Sequence, residues 1–227
     1  MSNCLTSYVE ALRVISEQEK AVLESYFQPR KLANGDELFE GGKTCNQLFF
    51  ICKGVLRIHG ANVRGTDITH YFYKENQFCT ILDSFDQCRF TEIKIQAACD
   101  GEVFQITRLK LHALYDELPF LKDIIDKAML QGLLEKVRLR NSCLGQEAAD
   151  QYKLFVAQQP DVALRVSMKD IASFLGITPQ SLSRIRKHAN RICAKDQADP
   201  GSPIYIKGNS PVDLPGQPFH QLDAKRV

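Results

Sequence analysis

The sequence has no apolar run approaching the roughly 18 residues that a membrane span requires. Its opening, Met1 to Glu10, lacks the charged start and apolar stretch of a secretory leader. Both absences point to a cytoplasmic protein without a membrane partner. Eight cysteines are present (Cys4, Cys45, Cys52, Cys79, Cys88, Cys99, Cys143 and Cys193), but no two form a Cys-x-x-Cys pair and none cluster. That argues against a zinc or iron–sulfur site. In a cytosolic chain such scattered cysteines are expected to be reduced, mostly buried thiols; a redox role for one or two is the alternative. The five histidines (His59, His70, His112, His188 and His220) include no pair separated by one residue. A β-roll metalloenzyme of the cupin type would need such a pair in its metal triad. The sequence therefore nominates no catalytic residue, no metal ligand and no cofactor.

What is present is ordinary globular material, 44% hydrophobic and 25% charged, in a 227-residue chain long enough for two domains. The net charge of +2 is unevenly spread. Residues 160–195 hold seven Lys/Arg (Arg165, Lys169, Arg184, Arg186, Lys187, Arg191 and Lys195) against two acids, Asp161 and Asp170, so the remainder is slightly acidic. A basic C-terminal window on an acidic body suits a nucleic-acid reader, although a solvated basic helix has the same composition.

Three textures follow one another along the chain. Tyr8, Val9, Leu12, Ile15, Val22 and Leu23 recur at helical spacing, which predicts one or two helices over 7–27. From Arg30 to Ile106, short β-branched and aromatic runs such as 48–51, 55–58, 68–73, 93–95 and 103–106 alternate with turn signals at Asn34-Gly35-Asp36, Gly41-Gly42, Lys53-Gly54 and Asp100-Gly101. Many short strands at this spacing predict a sandwich or barrel. Beyond Pro119 the pattern is helical. Leu121, Ile124, Ile125, Ala128, Met129, Leu133, Leu134 and Val137 are more apolar surface than one core-facing stripe needs. A second copy of the chain would cover the surplus; a central core helix in a monomer would read the same way. Gly132 would permit close approach in such a seam. A shorter amphipathic helix is expected over Gln146 to Gln158, broken by Gln159-Pro160-Asp161, and a loose tail from Asn209.

The most specific signal is the run from Met168 to Lys187, in which each constrained position of a helix-turn-helix is suitably filled. Ile171 and Leu175 lie one turn apart and face inward. Ala172 is small enough for a second helix to cross closely. Gly176 sits where the turn wants a positive φ, and Ile177 plugs the corner. Thr178 is a good N-cap and Pro179 a good first-turn residue. Leu182 and Ile185 hold the second helix on the core. Its exposed face then offers Gln180, Ser181, Ser183, Arg184, Arg186 and Lys187. With Thr178 these are the candidate DNA-binding residues: Arg184 suits a guanine edge, Gln180 an adenine edge, Ser183 several bases, and Arg186 and Lys187 phosphates.

Over residues 20–208 the chain resembles the bacterial Crp–Fnr transcription regulators, the cyclic-AMP receptor protein superfamily. The resemblance rests on Asn34-Gly35-Asp36-Glu37-Leu38-Phe39, Gly41-Gly42, the run from Leu48 to Ile58, the long helix and the helix-turn-helix. Pro203-Ile204-Tyr205-Ile206-Lys207 resembles the last strand of the family's wing. It implies an α+β fold: a β-roll sensor domain with N-terminal helices over 1–115, a dimerisation helix over 116–143, a winged helix-turn-helix domain over 144–208, and the tail over 209–227. It further implies a homodimer on double-stranded DNA that meets RNA polymerase and answers to a small-molecule effector. In the family, base contacts come from the positions that are here Gln180, Ser183 and Arg184. One departure matters. Cyclic-nucleotide-binding members carry a Gly-Glu pair and, ten to twelve residues later, an Arg followed by Ser or Thr. An ungapped alignment places Thr80-Ile81 and Thr91-Glu92 there, with Arg89-Phe90 close by but not reproducing the pattern. Thr80, Ile81, Arg89 and Thr91 are thus the candidate effector-binding positions, and the expected effector is not cyclic AMP or cyclic GMP.

Overall fold

A computed structural model describes residues 4–196, with side chains through His188. The expected wing strand at 203–207 and the tail from Asn209 lie outside the described residues. The chain begins with α1 (Cys4–Leu12) and α2 (Glu17–Tyr26), so the helical spacing over 7–27 resolves into two helices. Ser16 opens α2 with a reciprocal cap: its hydroxyl accepts from the Glu19 amide, and the Glu19 carboxylate accepts from the Ser16 amide at 2.7 Å.

Ten strands follow: β1 (Gln28–Leu32), β2 (Glu37–Phe39), β3 (Lys43–Thr44), β4 (Gln47–Lys53), β5 (Leu56–Ala61), β6 (Asp67–Tyr73), β7 (Phe78–Cys79), β8 (Phe90–Thr91), β9 (Lys94–Ala97) and β10 (Gly101–Thr107). A short helix, α3 (Leu82–Gln87), lies between β7 and β8. The strands form two four-stranded antiparallel sheets, ordered β1-β10-β4-β7 and β2-β9-β5-β6, and a small β3-β8 ribbon. Strand β4 explains why Leu48-Phe49-Phe50-Ile51 is an unbroken apolar run. Phe49 and Ile51 face the core between the sheets, with Phe39, Ile58, Ile95 and Val103. Leu48 and Phe50 face the other way, onto Leu5, Val9, Leu23 and Phe78. A strand buried on both faces has no reason to alternate. Gly54 turns β4 into β5 at φ +98°, where a Cβ would sit 2.8 Å from the Asp100 carbonyl oxygen; the turn requires glycine on both counts.

The remainder is helical: α4 (Arg108–Glu117), α5 (Phe120–Cys143), α6 (Ala148–Gln158), α7 (Pro160–Arg165), α8 (Met168–Phe174) and α9 (Pro179–Asp196). Pro160 ends one helix and starts the next, since a residue without an N–H costs nothing in a first turn. Leu121 and Ile125 bury the start of α5 in the core beneath α1 and α2. Further along, Leu130, Leu134 and Val137 are exposed to 56%, 40% and 44%.

Two features are beyond sequence reasoning. Helices α6 to α8 share a core with the β-roll: Val55, Phe72 and Ala98 pack with Phe155, Val162, Ile171 and Leu182. Phe72, Phe155 and Phe174 form an aromatic triangle with centroids 5.1 to 5.9 Å apart. Cys4 and Cys52 form a disulfide between α1 and β4, with Cα atoms 5.6 Å apart. This corrects the expectation of reduced thiols throughout: 48 positions separate the pair, and only the packing of α1 on the sheet brings them together. Cys45 and Cys79 are buried free thiols, and Cys88 is exposed.

Candidate functional site

Two regions hold the residues nominated from sequence. The first is the turn between α8 and α9. Ser167 caps α8, its hydroxyl accepting from the Asp170 amide at 3.1 Å. Gly176 takes φ +67° in the turn, the left-handed region where glycine is unstrained. Thr178 opens α9: its hydroxyl accepts from the Ser181 amide at 3.1 Å and lies 3.0 Å from the Ser181 hydroxyl. Ile171, Ala172, Leu175 and Leu182 are buried, as helices crossing closely require. Gln180, Arg184 and Lys187 are exposed side by side on the outer face of α9, with Ser181 and Ser183 half-buried at its edge. Arg186, also exposed, bends back to donate to the Met168 sulfur. The arrangement offers an amide, a guanidinium and an ammonium with no protein counter-charge; no ion pair engages Arg184, Arg186 or Lys187 among the described residues.

The second region is a cavity of about 330 Å³ between the β-roll and α5. Its walls are Ile58, His70 and Tyr73 from β5 and β6, Phe78 and Thr80 to Asp83 across β7 and the start of α3, Ile93, and Met129, Leu133 and Lys136 from α5. Of the four candidate effector positions, Thr80 and Ile81 line it and Arg89 and Thr91 do not. Thr80 is buried and donates its hydroxyl hydrogen to the Gln47 carbonyl at 2.8 Å. Arg89 points to solvent in an exposed ion pair with Asp83. Thr91 pairs with Lys43 across the β3-β8 ribbon, and its hydroxyl accepts from the Ile93 amide.

Sequence reasoning missed His70 and Lys136. Burial pushes the Lys136 ammonium below the usual lysine range, and the charge on Arg140 adds to the effect. Burial likewise lowers His70, followed by the charges on Lys136, Arg140 and His59. Lys136 carried a legible signal: it stands one turn before buried Leu139 and two after Met129, so a lysine occupies the inward stripe of an otherwise apolar helix face.

The model of a family described as "cyclic nucleotide-binding domain" matches residues 29–117. That stretch is similar to a cyclic nucleotide-binding domain. It spans β1 to the end of α4 and contributes the β-strand and α3 walls of the cavity. Among solved structures, the c-di-GMP-responsive global regulator CLP of Xanthomonas campestris superposes with a TM-score of 0.62 at 14% identity, over 78% of this chain and 93% of that one. A protein of Eubacterium rectale assigned to the Crp/Fnr family of transcriptional regulators gives 0.62 at 14% identity, over 82% and 88%. FixK2 of Bradyrhizobium japonicum gives 0.60 at 16% identity, over 74% and 86%. The fold is that of the Crp/Fnr regulators: a β-rich cyclic nucleotide-binding domain followed by helices. No curated protein sequence gives a significant match. Arg89, close to the expected phosphate position, faces outward, while the cation at the cavity, Lys136, belongs to the helix that follows the matched stretch. Among the described residues no helix is long and apolar enough to cross a membrane, and no cluster of His, Cys, Asp or Glu is placed to hold a metal ion.

Proposed function

We propose that the protein is a sequence-specific, DNA-binding transcription regulator that acts as a cytoplasmic homodimer, without enzymatic activity. The observation that carries the reading is the α8–turn–α9 unit: a glycine turn, a threonine-capped second helix, and an outer face of Gln180, Arg184 and Lys187 with no partner charge among the described residues. Such a face docks in the major groove, Arg184 and Gln180 reading base edges and Lys187 holding phosphate. The exposed Leu130, Leu134 and Val137 stripe on α5 is the seam for a second copy, which would set two recognition helices about 34 Å apart, one DNA turn. Contact with RNA polymerase follows from the regulator role.

The effector in this reading is not a cyclic nucleotide. A cyclic phosphate buried in a protein needs a paired cation or several donors. The position expected to supply an arginine fork is Thr91, which has no charge to neutralise a phosphate and does not line the cavity, and Arg89 is outside the cavity. At the position of the ribose-binding Glu, Ile81 has no acceptor. Titration calorimetry with cyclic AMP and cyclic GMP is expected to show no micromolar binding. DNA sites selected from a random pool should be near-palindromic, and affinity should fall about 10³–10⁵-fold between ~50 and ~200 mM salt, as expected for ~6–10 phosphate contacts per dimer. Retention of no specific sequence from the pool would overturn the reading.

A further inference from the structure

The cavity beside α5 is built asymmetrically. Ile58, Phe78, Ile81, Met129 and Leu133 make most of its wall apolar. Lys136 reaches it from α5, and among the described residues no hydrogen bond or ion pair satisfies its ammonium. The carboxylate at the cavity mouth, Asp83, is engaged with Arg89 at 3.1 Å. An adjoining cavity of about 440 Å³ shares His70 and Lys136 and adds Arg140, so the charges of Lys136 and Arg140 lie where the two meet. A half-buried cation without a counter-charge is costly, and a ligand that supplies the missing anion recovers that cost. The surrounding volume and apolar wall suit a small organic body.

We propose that this cavity binds an amphipathic organic anion, with a single carboxylate or sulfonate head on Lys136 and an apolar ring-sized body against Ile58, Phe78 and Leu133. The inference gives the effector of the proposed regulator a chemical class. It places the anion on the helix side of the cavity, away from Arg89 and Thr91. A dianion or polyphosphate fits poorly, because one ammonium on an apolar wall neutralises only one charge. A ligand held here bridges β6 to α5, and β6 is also the strand on which α8 docks: the Thr69 amide donates to the Ser173 hydroxyl at 2.8 Å. Occupancy of the cavity thus acts on a strand that touches the helix-turn-helix directly.

The test uses the full-length protein and two fluorescent probes with the same body, 1-anilinonaphthalene-8-sulfonate, which is anionic, and N-phenyl-1-naphthylamine, which is neutral. The wild type is expected to bind the sulfonate about tenfold more tightly than the amine. Lys136→Met should remove that advantage and leave the neutral probe's affinity unchanged, and Lys136→Arg should restore it. A cooperative urea transition matching the wild type shows that the Met variant is folded; if it is not, Lys136→Gln takes its place. Equal affinity for the two probes, or a sulfonate affinity indifferent to residue 136, overturns the proposal. No DNA is present in this assay, so its failure alongside intact selection of specific DNA would remove the ligand assignment and leave the regulator reading standing.

Discussion

Arg57 is the buried cation on which the β-roll and the C-terminal helices meet. Its guanidinium lies 2.8 Å from Asp67 on β6 and 3.1 Å from Asp170 on α8, and its Nε donates to Gln96 at 2.8 Å. Removing one member of a buried ion pair leaves its partner uncompensated, which typically costs about 3–5 kcal/mol. Arg57→Met is therefore expected to lower unfolding stability by about that amount, and Arg57→Met combined with Asp170→Asn by less; urea unfolding of the two variants checks the order. A different residue-scale outcome is expected on α9, where side chains meet DNA and not the core. Arg184→Ala should cost about 1–3 kcal/mol per half-site and relax base preference at one position, whereas Lys187→Ala should weaken all sequences about equally. Gel-shift titrations on the selected site and on single-base variants distinguish the two, and an Arg184→Ala protein with unchanged affinity and preference would displace the recognition helix from its proposed register.

At the scale of elements, α5 serves three neighbours at once. Its first turns belong to the core under α1 and α2, its middle lines the cavity, and its outward stripe has no cover among the described residues. Leu134 and Val137 lie on that stripe and line neither cavity. Leu134→Glu with Val137→Glu is expected to give a folded monomer by light scattering at micromolar concentration, because two like charges facing two more across a seam are unfavourable and a solvent-facing carboxylate is not. A dimer surviving both changes would place the interface elsewhere. The apolar surplus of α5 was legible in sequence, because helical periodicity counts stripes directly; which residues face the cavity was not, because that depends on the helix's rotation against the sheet.

At the scale of the whole molecule, carboxylates hold the β-roll to the helices behind it. Burial pushes the Asp67 carboxyl up, but hydrogen bonds and charge from His59 and Arg57 outweigh it and hold it below its ordinary range. Glu75 behaves alike: burial raises it, while Arg165 on α7 and the amides of Glu75 and Gly54 outweigh that and hold it below its ordinary range. A carboxylate with a depressed folded pKa contributes stability that is present above its unfolded value and is lost as pH falls through the folded one. Stability is thus expected to hold at neutral pH and to decline below about pH 4, with α6 to α8 loosening from the sheet first; amide exchange of α8 against β4 at the two pH values reads this out, and uniform loss would contradict it. The amino-acid sequence by itself determined the strand-rich middle, the two N-terminal helices, the break at Pro160 and the chemistry of the turn before α9. Each follows from local spacing, a cap or a φ that few residues accept. Only the tertiary structure decided that Cys4 meets Cys52, that Arg57 bridges to Asp170, that Ser173 binds β6, and that Lys136 and not Arg89 reaches the cavity. These pairings join residues far apart in the chain, and their geometry depends on how sheet and helices pack, a constraint that no local pattern carries.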